Sequence, residues 1–220
     1  NVTPPNRYTD VTNGRVLDFT SFEALSAGNN GNLFSIFGTQ TFNLVGGTGD
    51  DVFLFNSGAV LNGTVNGLAG NDTISATTAG GPQVITLTGA TSVTGFDGTF
   101  TPSINSAVTP ATFVGIETII GGNGQDTLIG RNVDANWTVA ATGSYAETVS
   151  GRMLTFSKIE NLNGGSGVDT YSISGTQNAN LNGGSGNDVF NFADGAVLNG
   201  SLVGGAGIDT VNFGNSADTV

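Results

Sequence analysis

Along most of the chain, apolar residues fall at alternate positions for a few residues, stop at a glycine cluster, and resume in the same phase. Short runs of this period predict β-strands with one buried face. Six glycine-rich stretches ending in Asp set the phase: Gly46 to Asp51, Gly67 to Asp72, Gly121 to Asp126, Gly164 to Asp169, Gly183 to Asp188 and Gly204 to Asp209. A worn copy, Ala27 to Asn32, has Asn in place of the Asp. Two residues after these positions stand Phe34, Phe53, Ile74, Leu128, Tyr171, Phe190 and Val211. Four residues after stand Ile36, Phe55, Ala76, Gly130, Ile173, Phe192 and Phe213. Two residues before each glycine loop stand Leu25, Leu44, Val65, Ile119, Leu162, Leu181 and Leu202. These ladders are expected to point inward, and the mostly polar positions between them (Thr73, Thr127, Thr170, Ser172, Asn191, Asn212) outward.

The pattern repeats at two scales. A shift of 137 residues places Tyr8 on Tyr145, Gly14-Arg15 on Gly151-Arg152, Glu23 on Glu160, and Gly58 to Gly63 on Gly195 to Gly200. Residues 8–76 and 145–213 are therefore an internal duplication, and the chain is expected to open inside a repeat unit, as a piece of a larger protein would. Within each copy the spacing is 19 residues (Asn32 to Asp51, Asp169 to Asp188) and then 21 (Asp51 to Asp72, Asp188 to Asp209). A period near 20 with one glycine turn per repeat predicts an all-β parallel solenoid, of the β-roll or β-helix kind, in which each repeat is one rung. The whole of 1–220 reads as a single such segment. Segments 77–116 and 130–159 lack the motif and read as longer, irregular rungs with protruding hairpins or loops. Two of the three Phe-x-x-hydrophobic-Glu-x-hydrophobic stretches close them: Phe113 to Ile119 and Phe156 to Leu162, with Phe19 to Leu25 near the start of the chain. Glycine interrupts nearly every window, so no amphipathic helix is expected.

Composition narrows the chemistry. The 36 glycines accompany 37% hydrophobic residues and 14 Phe, which suits punctuated strands and a core rather than disorder. Without Cys or His there is no disulfide, no zinc site of the Cys/His kind and no Cys or His catalysis. Seventeen acids against five bases give a net charge of −12, which repels nucleic acid and anionic lipid and attracts divalent cations. No apolar run reaches the roughly 18 residues of a membrane span, and no targeting pattern opens the chain, so membrane insertion is not expected.

Gly-Gly-x-Gly-x-Asp followed by x-hydrophobic-x resembles the nonapeptide of the RTX, or haemolysin-type, calcium-binding repeats. The resemblance covers the six loops and, more loosely, Leu25 to Phe213. It implies a parallel β-roll with Ca²⁺ between stacked loops, held by backbone carbonyls and by Asp51, Asp72, Asp126, Asp169, Asp188 and Asp209. Calcium takes six to eight hard oxygens, and glycine lets carbonyls converge. RTX nonapeptides follow one another every nine residues, whereas this chain has one good motif per rung, so any cation row is expected along one edge. The alternative is a glycine turn whose Asp bonds nearby backbone amides without metal. Glu23, Glu117 and Glu160, nine residues before Asn32, Asp126 and Asp169, read either as cation ligands or as outward residues, pairing with Arg15, Arg152 or Lys158 or simply solvated.

The function this implies is structural: a stiff, acidic, calcium-stabilised rod in a large bacterial protein, secreted or at the cell surface, whose partners are calcium and neighbouring repeats. An adhesive module for surface glycan or ice on the irregular segments is the alternative. An accessory or catalytic module of a polysaccharide-active enzyme is further off. Asp97, Asp134 and Arg131 lack a second base, so no enzyme is expected.

Overall fold

The computed structural model describes residues 5–89, 94–102 and 109–214. Every regular element among them is a β-strand. Two long sheets hold nearly all of the strands. The twelve-stranded sheet runs, in spatial order, Arg15–Phe19, Asn6–Asp10, Asn32–Ile36, Val52–Phe55, Thr73–Ser75, Thr118–Ile120, Met153–Ser157, Thr142–Glu147, Ala135–Val139, Asp169–Ile173, Val189–Phe192 and Thr210–Phe213. The ten-stranded sheet runs Leu202–Ala206, Asn180–Ser185, Asn161–Asn163, Thr127–Ile129, Gln83–Gly89, Phe96–Pro102, Ala111–Ile116, Thr64–Leu68, Asn43–Gly47 and Ala24–Ser26.

Most neighbours are parallel, because the chain passes through a glycine loop from one sheet to the other and then returns one strand further on. The pairings set equivalent residues side by side: Phe34 beside Phe53 beside Ile74, and Tyr171 beside Phe190 beside Val211. The 19- and 21-residue spacings are thus the register of a repeat-like strand architecture. Apart from Val211 and Phe213, which are exposed, the apolar residues of the inward ladders join or pack against one hydrophobic cluster shared by both sheets. Phe53, Ile74, Leu128, Tyr171, Phe190, Leu44 and Ile119 are fully buried. Their rings stack along the sheet direction: Phe34 on Phe53 at 4.9 Å and 9°, Tyr171 on Phe190 at 4.8 Å and 12°.

Segments 77–116 and 130–159 differ from the expectation of protruding hairpins. Their described strands are built into the sheets. Phe96–Pro102 runs antiparallel between Gln83–Gly89 and Ala111–Ile116, and Thr142–Glu147 antiparallel between Ala135–Val139 and Met153–Ser157. The reason is their apolar face: Ile85, Phe96, Phe100, Phe113, Trp137, Tyr145 and Leu154 are at most 1% exposed, and a hairpin in solvent would leave them wet. The parts of the first segment at 90–93 and 103–108 lie outside the described residues.

Candidate functional site

The six predicted Asp residues stand at corners between the sheets. At Asp51, Asp72, Asp169, Asp188 and Asp209 the chain crosses from the ten-stranded to the twelve-stranded sheet. At Asp126 it crosses the other way, so Asp126 lies on the opposite edge and the six do not form one row. The cause is the segment before it: between Asp72 and Asp126 the chain crosses twice, from Thr73–Ser75 to Gln83–Gly89 and from Ala111–Ile116 to Thr118–Ile120, where one crossing separates Asp51 from Asp72.

All but Asp209 are fully buried, and each spans two units by hydrogen bonds. Asp51 N–H donates to Asp72 Oδ1 at 2.8 Å, Asp169 N–H to Asp188 Oδ1 at 2.8 Å, and Asp188 N–H to Asp209 Oδ1 at 3.0 Å. Gln83 N–H donates to Asp126 Oδ1 at 2.6 Å. Each carboxylate therefore reaches back to the amide of the preceding unit. These bonds run between turns, because the corners stack in register.

Glu117 and Glu160 belong to the same system. Glu117 Oε2 accepts the Asp72 N–H at 2.7 Å, and Glu160 Oε2 accepts the Asp126 N–H at 2.9 Å. In return the Asp72 carbonyl accepts the N–H groups of Glu117 and Thr118, and the Asp126 carbonyl those of Glu160 and Asn161. Both carboxylates clasp the corner before them through its Asp amide. Glu23 has no such corner to clasp and is exposed.

Two donors were not visible in the sequence. Where no Asp precedes, an aromatic side chain supplies the hydrogen: Trp137 Nε1–H donates to Asp169 Oδ1 at 2.9 Å, and Tyr8 O–H to Asn32 Oδ1 at 2.8 Å. Of the residues weighed for an enzyme, Arg131 pairs instead with the buried Glu147 at 2.6 Å, Asp134 accepts the Val168 N–H at 2.7 Å, and Asp97 is buried and accepts the Gly115 N–H at 3.3 Å.

The second carboxylate oxygen is the telling one. Oδ2 of Asp51, Asp72, Asp169 and Asp188 is buried and has no hydrogen-bond partner. Each lies over the first glycine of its own loop. A Cβ placed on Gly46, Gly67, Gly164 or Gly183 would come under 3.0 Å from that oxygen and also from a carbonyl oxygen of the following unit, namely Gly67, Gly115, Gly183 or Gly204. Two acceptors thus close on the Cα–H of the same glycine, which offers neither of them an N–H or O–H. A buried charged acceptor left unpaired costs more than the roughly 1–3 kcal/mol of a neutral one. Burial accordingly raises these carboxyls above their ordinary value, Asp51 to about 6 and Asp72 and Asp169 to about 7, with Asp188 raised for the same reason. A proton on Oδ2, or a cation bound to it, would resolve the conflict. Asp126 differs, since its Oδ2 accepts the Gly122 N–H at 2.6 Å. Asn32 resolves it covalently: its Nδ2–H donates to the carbonyl oxygens of Gly28 and Asn30 and to Asp51 Oδ1.

Among the described residues no three carboxylates converge, so a hard cation at these four positions would have to take most of its oxygens from glycine-loop carbonyls. No family model matches the chain, and no curated protein matches it in sequence.

Proposed function

We propose that the chain is a parallel β-solenoid segment of a secreted or cell-surface protein, a structural rod whose glycine corners are stabilised by calcium. The observation that carries the reading is the unpartnered, buried Oδ2 of Asp51, Asp72, Asp169 and Asp188, beside a backbone carbonyl oxygen over the same glycine. These four would hold the ions, each with carbonyls of its own and the following loop. Asp126, with its Oδ2 already bonded, and Asp209, with no described unit after it, are the weaker two of the six. The net charge of −12 favours divalent cations and a surface that stays dispersed. Sites of the weak extracellular kind, with Kd about 10⁻⁴–10⁻³ M, would make the rod soft at low calcium and firm outside the cell. At tenfold excess each would add roughly 1.4 kcal/mol. The adhesive alternative has less support, because the described strands of segments 77–116 and 130–159 are spent inside the sheets.

Thermal unfolding near neutral pH with EDTA and with millimolar calcium tests the reading, wild type beside Asp188→Asn. A calcium-dependent rise in Tm that shrinks in the variant is expected. The same Tm in both buffers would replace the cation by a proton and leave a metal-free rod.

A further inference from the structure

Two corners inside the molecule are clasped by a glutamate of the following unit, and the two clasps are bonded alike. Glu117 Oε2 accepts the Asp72 N–H at 2.7 Å, and Glu160 Oε2 accepts the Asp126 N–H at 2.9 Å. In each corner the Asp carbonyl takes two N–H groups in return. In sequence Glu117 stands nine residues before Asp126, yet it serves Asp72, 45 residues earlier.

What the clasp leaves over differs between the two. Both oxygens of Asp126 are bonded, Oδ1 to the Gln83 N–H and Oδ2 to the Gly122 N–H, each at 2.6 Å. Neither Asp126 nor Glu160 has a buried oxygen without a partner. The other corner has two, Asp72 Oδ2 and Glu117 Oε1, and Asp72 is 0% exposed. The Gly115 peptide borders both. A Cβ on Gly67 would come under 3.0 Å from Asp72 Oδ2 and from the Gly115 carbonyl oxygen. One on Gly95 would come under 3.0 Å from Glu117 Oε1 and from the Gly115 carbonyl carbon.

The residues of the two loops account for the difference. Gly122 stands four residues before Asp126, and its N–H reaches Oδ2. Four residues before Asp72 stands Leu68, whose N–H turns instead to Asn66 Oδ1 at 3.2 Å. Leu68 has a left-handed φ of 73°, which costs a non-glycine residue free energy. In the Asp126 corner the place of Asn66 is taken by Ile120, whose side chain offers no acceptor. A donor is thus drawn away from Asp72 while a second carboxylate is brought to it. Asp50 adds charge at the rim. It is exposed, its Oδ1 accepts the Asn71 N–H at 2.8 Å, and its charge acts on Asp51, Asp72 and Glu117 alike. Burial raises the Glu117 carboxyl, while the Thr94 hydroxyl bonds its charged form.

We propose that Asp72 and Glu117 together form a two-carboxylate site for a divalent cation of the calcium kind, the tightest on this chain. The proposal rests on the reading of the glycine corners as calcium sites and deepens it by naming where the first ion goes. Asp51, Asp169 and Asp188 each bring one orphan carboxylate oxygen, with no clasping glutamate. Among sites built from the same kind of loop, the count of charged ligands sets the affinity. Two carboxylates side by side also repel each other in the absence of an ion, so the corner gains most from one. The site lies at the joint between the first copy of the duplication and the unit that follows it, so this joint is the first that calcium firms.

Isothermal titration calorimetry of the full chain with Ca²⁺ near neutral pH reads the site, with Glu117→Gln and Glu160→Gln beside wild type. Wild type is expected to bind one ion about tenfold more tightly than the rest. Glu117→Gln keeps an acceptor for the Asp72 N–H and removes the charge; it is expected to lose the tight step and keep the weaker ones. Glu160→Gln is expected to bind as wild type does. Asp50→Asn, at an exposed position, is expected to weaken the tight step by about two- to threefold, and it keeps the test readable if Glu117→Gln does not fold without calcium. An unchanged tight step in Glu117→Gln or in Asp50→Asn overturns the proposal. So does an equal loss in Glu160→Gln, or a wild type whose ions all bind alike. Uniform weak binding beside a calcium-dependent Tm would sink this site alone; no calcium binding at all would sink the calcium-stabilised rod with it.

Discussion

The two copies of the duplication solve one problem with different side chains. In the first copy Tyr8 lies in the strand directly beside Asn32–Ile36 and its hydroxyl bonds Asn32. In the second copy Ala135–Val139, whose counterpart in the first copy lies outside the described residues, stands between the strand of the equivalent Tyr145 and Asp169–Ile173. Trp137 of that strand takes over the donation, to Asp169, and stacks on Tyr171 at 5.5 Å and 9°. Tyr145 turns its hydroxyl to the Arg131 N–H instead. Asn32 and Asp169 thus each accept a side-chain donor, Tyr8 O–H in one copy and Trp137 Nε1–H in the other. The copies also differ at that residue itself: Asn32 supplies its own hydrogen to the loop carbonyls, whereas Asp169 leaves an oxygen there unpaired.

The largest break in this comparison comes from the glycine under the carboxylate. Gly164→Ala in the second copy drives a methyl group into both Asp169 Oδ2 and the Gly183 carbonyl, and is expected to cost more than about 3 kcal/mol by denaturant titration. The first-copy counterpart, Ala27 before Asn32, already carries that methyl group. Next in size is Trp137→Phe, which keeps the stack and removes the donor, leaving Asp169 Oδ1 buried and unbonded; a loss of about 2 kcal/mol is expected. Tyr8→Phe removes the matching bond from a part-buried, neutral amide and is expected to cost about 1 kcal/mol.

A pH titration sharpens the Asn/Asp difference. The carboxyls of Asp51, Asp72 and Asp169 bind protons more tightly folded, at about 6, 7 and 7, than at their ordinary 3.8. The folded state therefore holds more protons between about pH 4 and pH 7, and stability falls as pH rises through that window. In EDTA the Tm is expected to drop by several degrees from about pH 5 to about pH 8, and millimolar calcium to restore it. Asp169→Asn copies the first-copy solution, and its Tm is expected to fall less over the same range. A flat wild-type profile would mean the four oxygens are paired in solution.

Much of the fold was legible because β-structure with one buried face writes its period into the sequence. Phe34, Phe53 and Ile74, aligned by counting, are neighbours in the sheet. Segments 77–116 and 130–159 were misjudged because an antiparallel strand needs no glycine corner, so the marker that announces the other strands is missing there. The six Asp positions were legible as a set, but which of them keep an unpaired oxygen was not. Asp126 and Asp188 share the motif, and only the Gly122 N–H distinguishes them. Glu117 and Glu160 were misread for the same reason, since a clasp on another unit's amide leaves no trace in nearby sequence.

The amino-acid sequence by itself determined the strands, their inward faces, the duplication and the corners, because all of these depend on spacing along the chain. Tertiary structure alone decided what each corner faces: which amide meets a carboxylate, which ring takes the place of an amide, and which oxygen stays without a donor. Those depend on atoms 19 or more residues apart, brought within hydrogen-bonding distance by the stacking of one sheet crossing on the next.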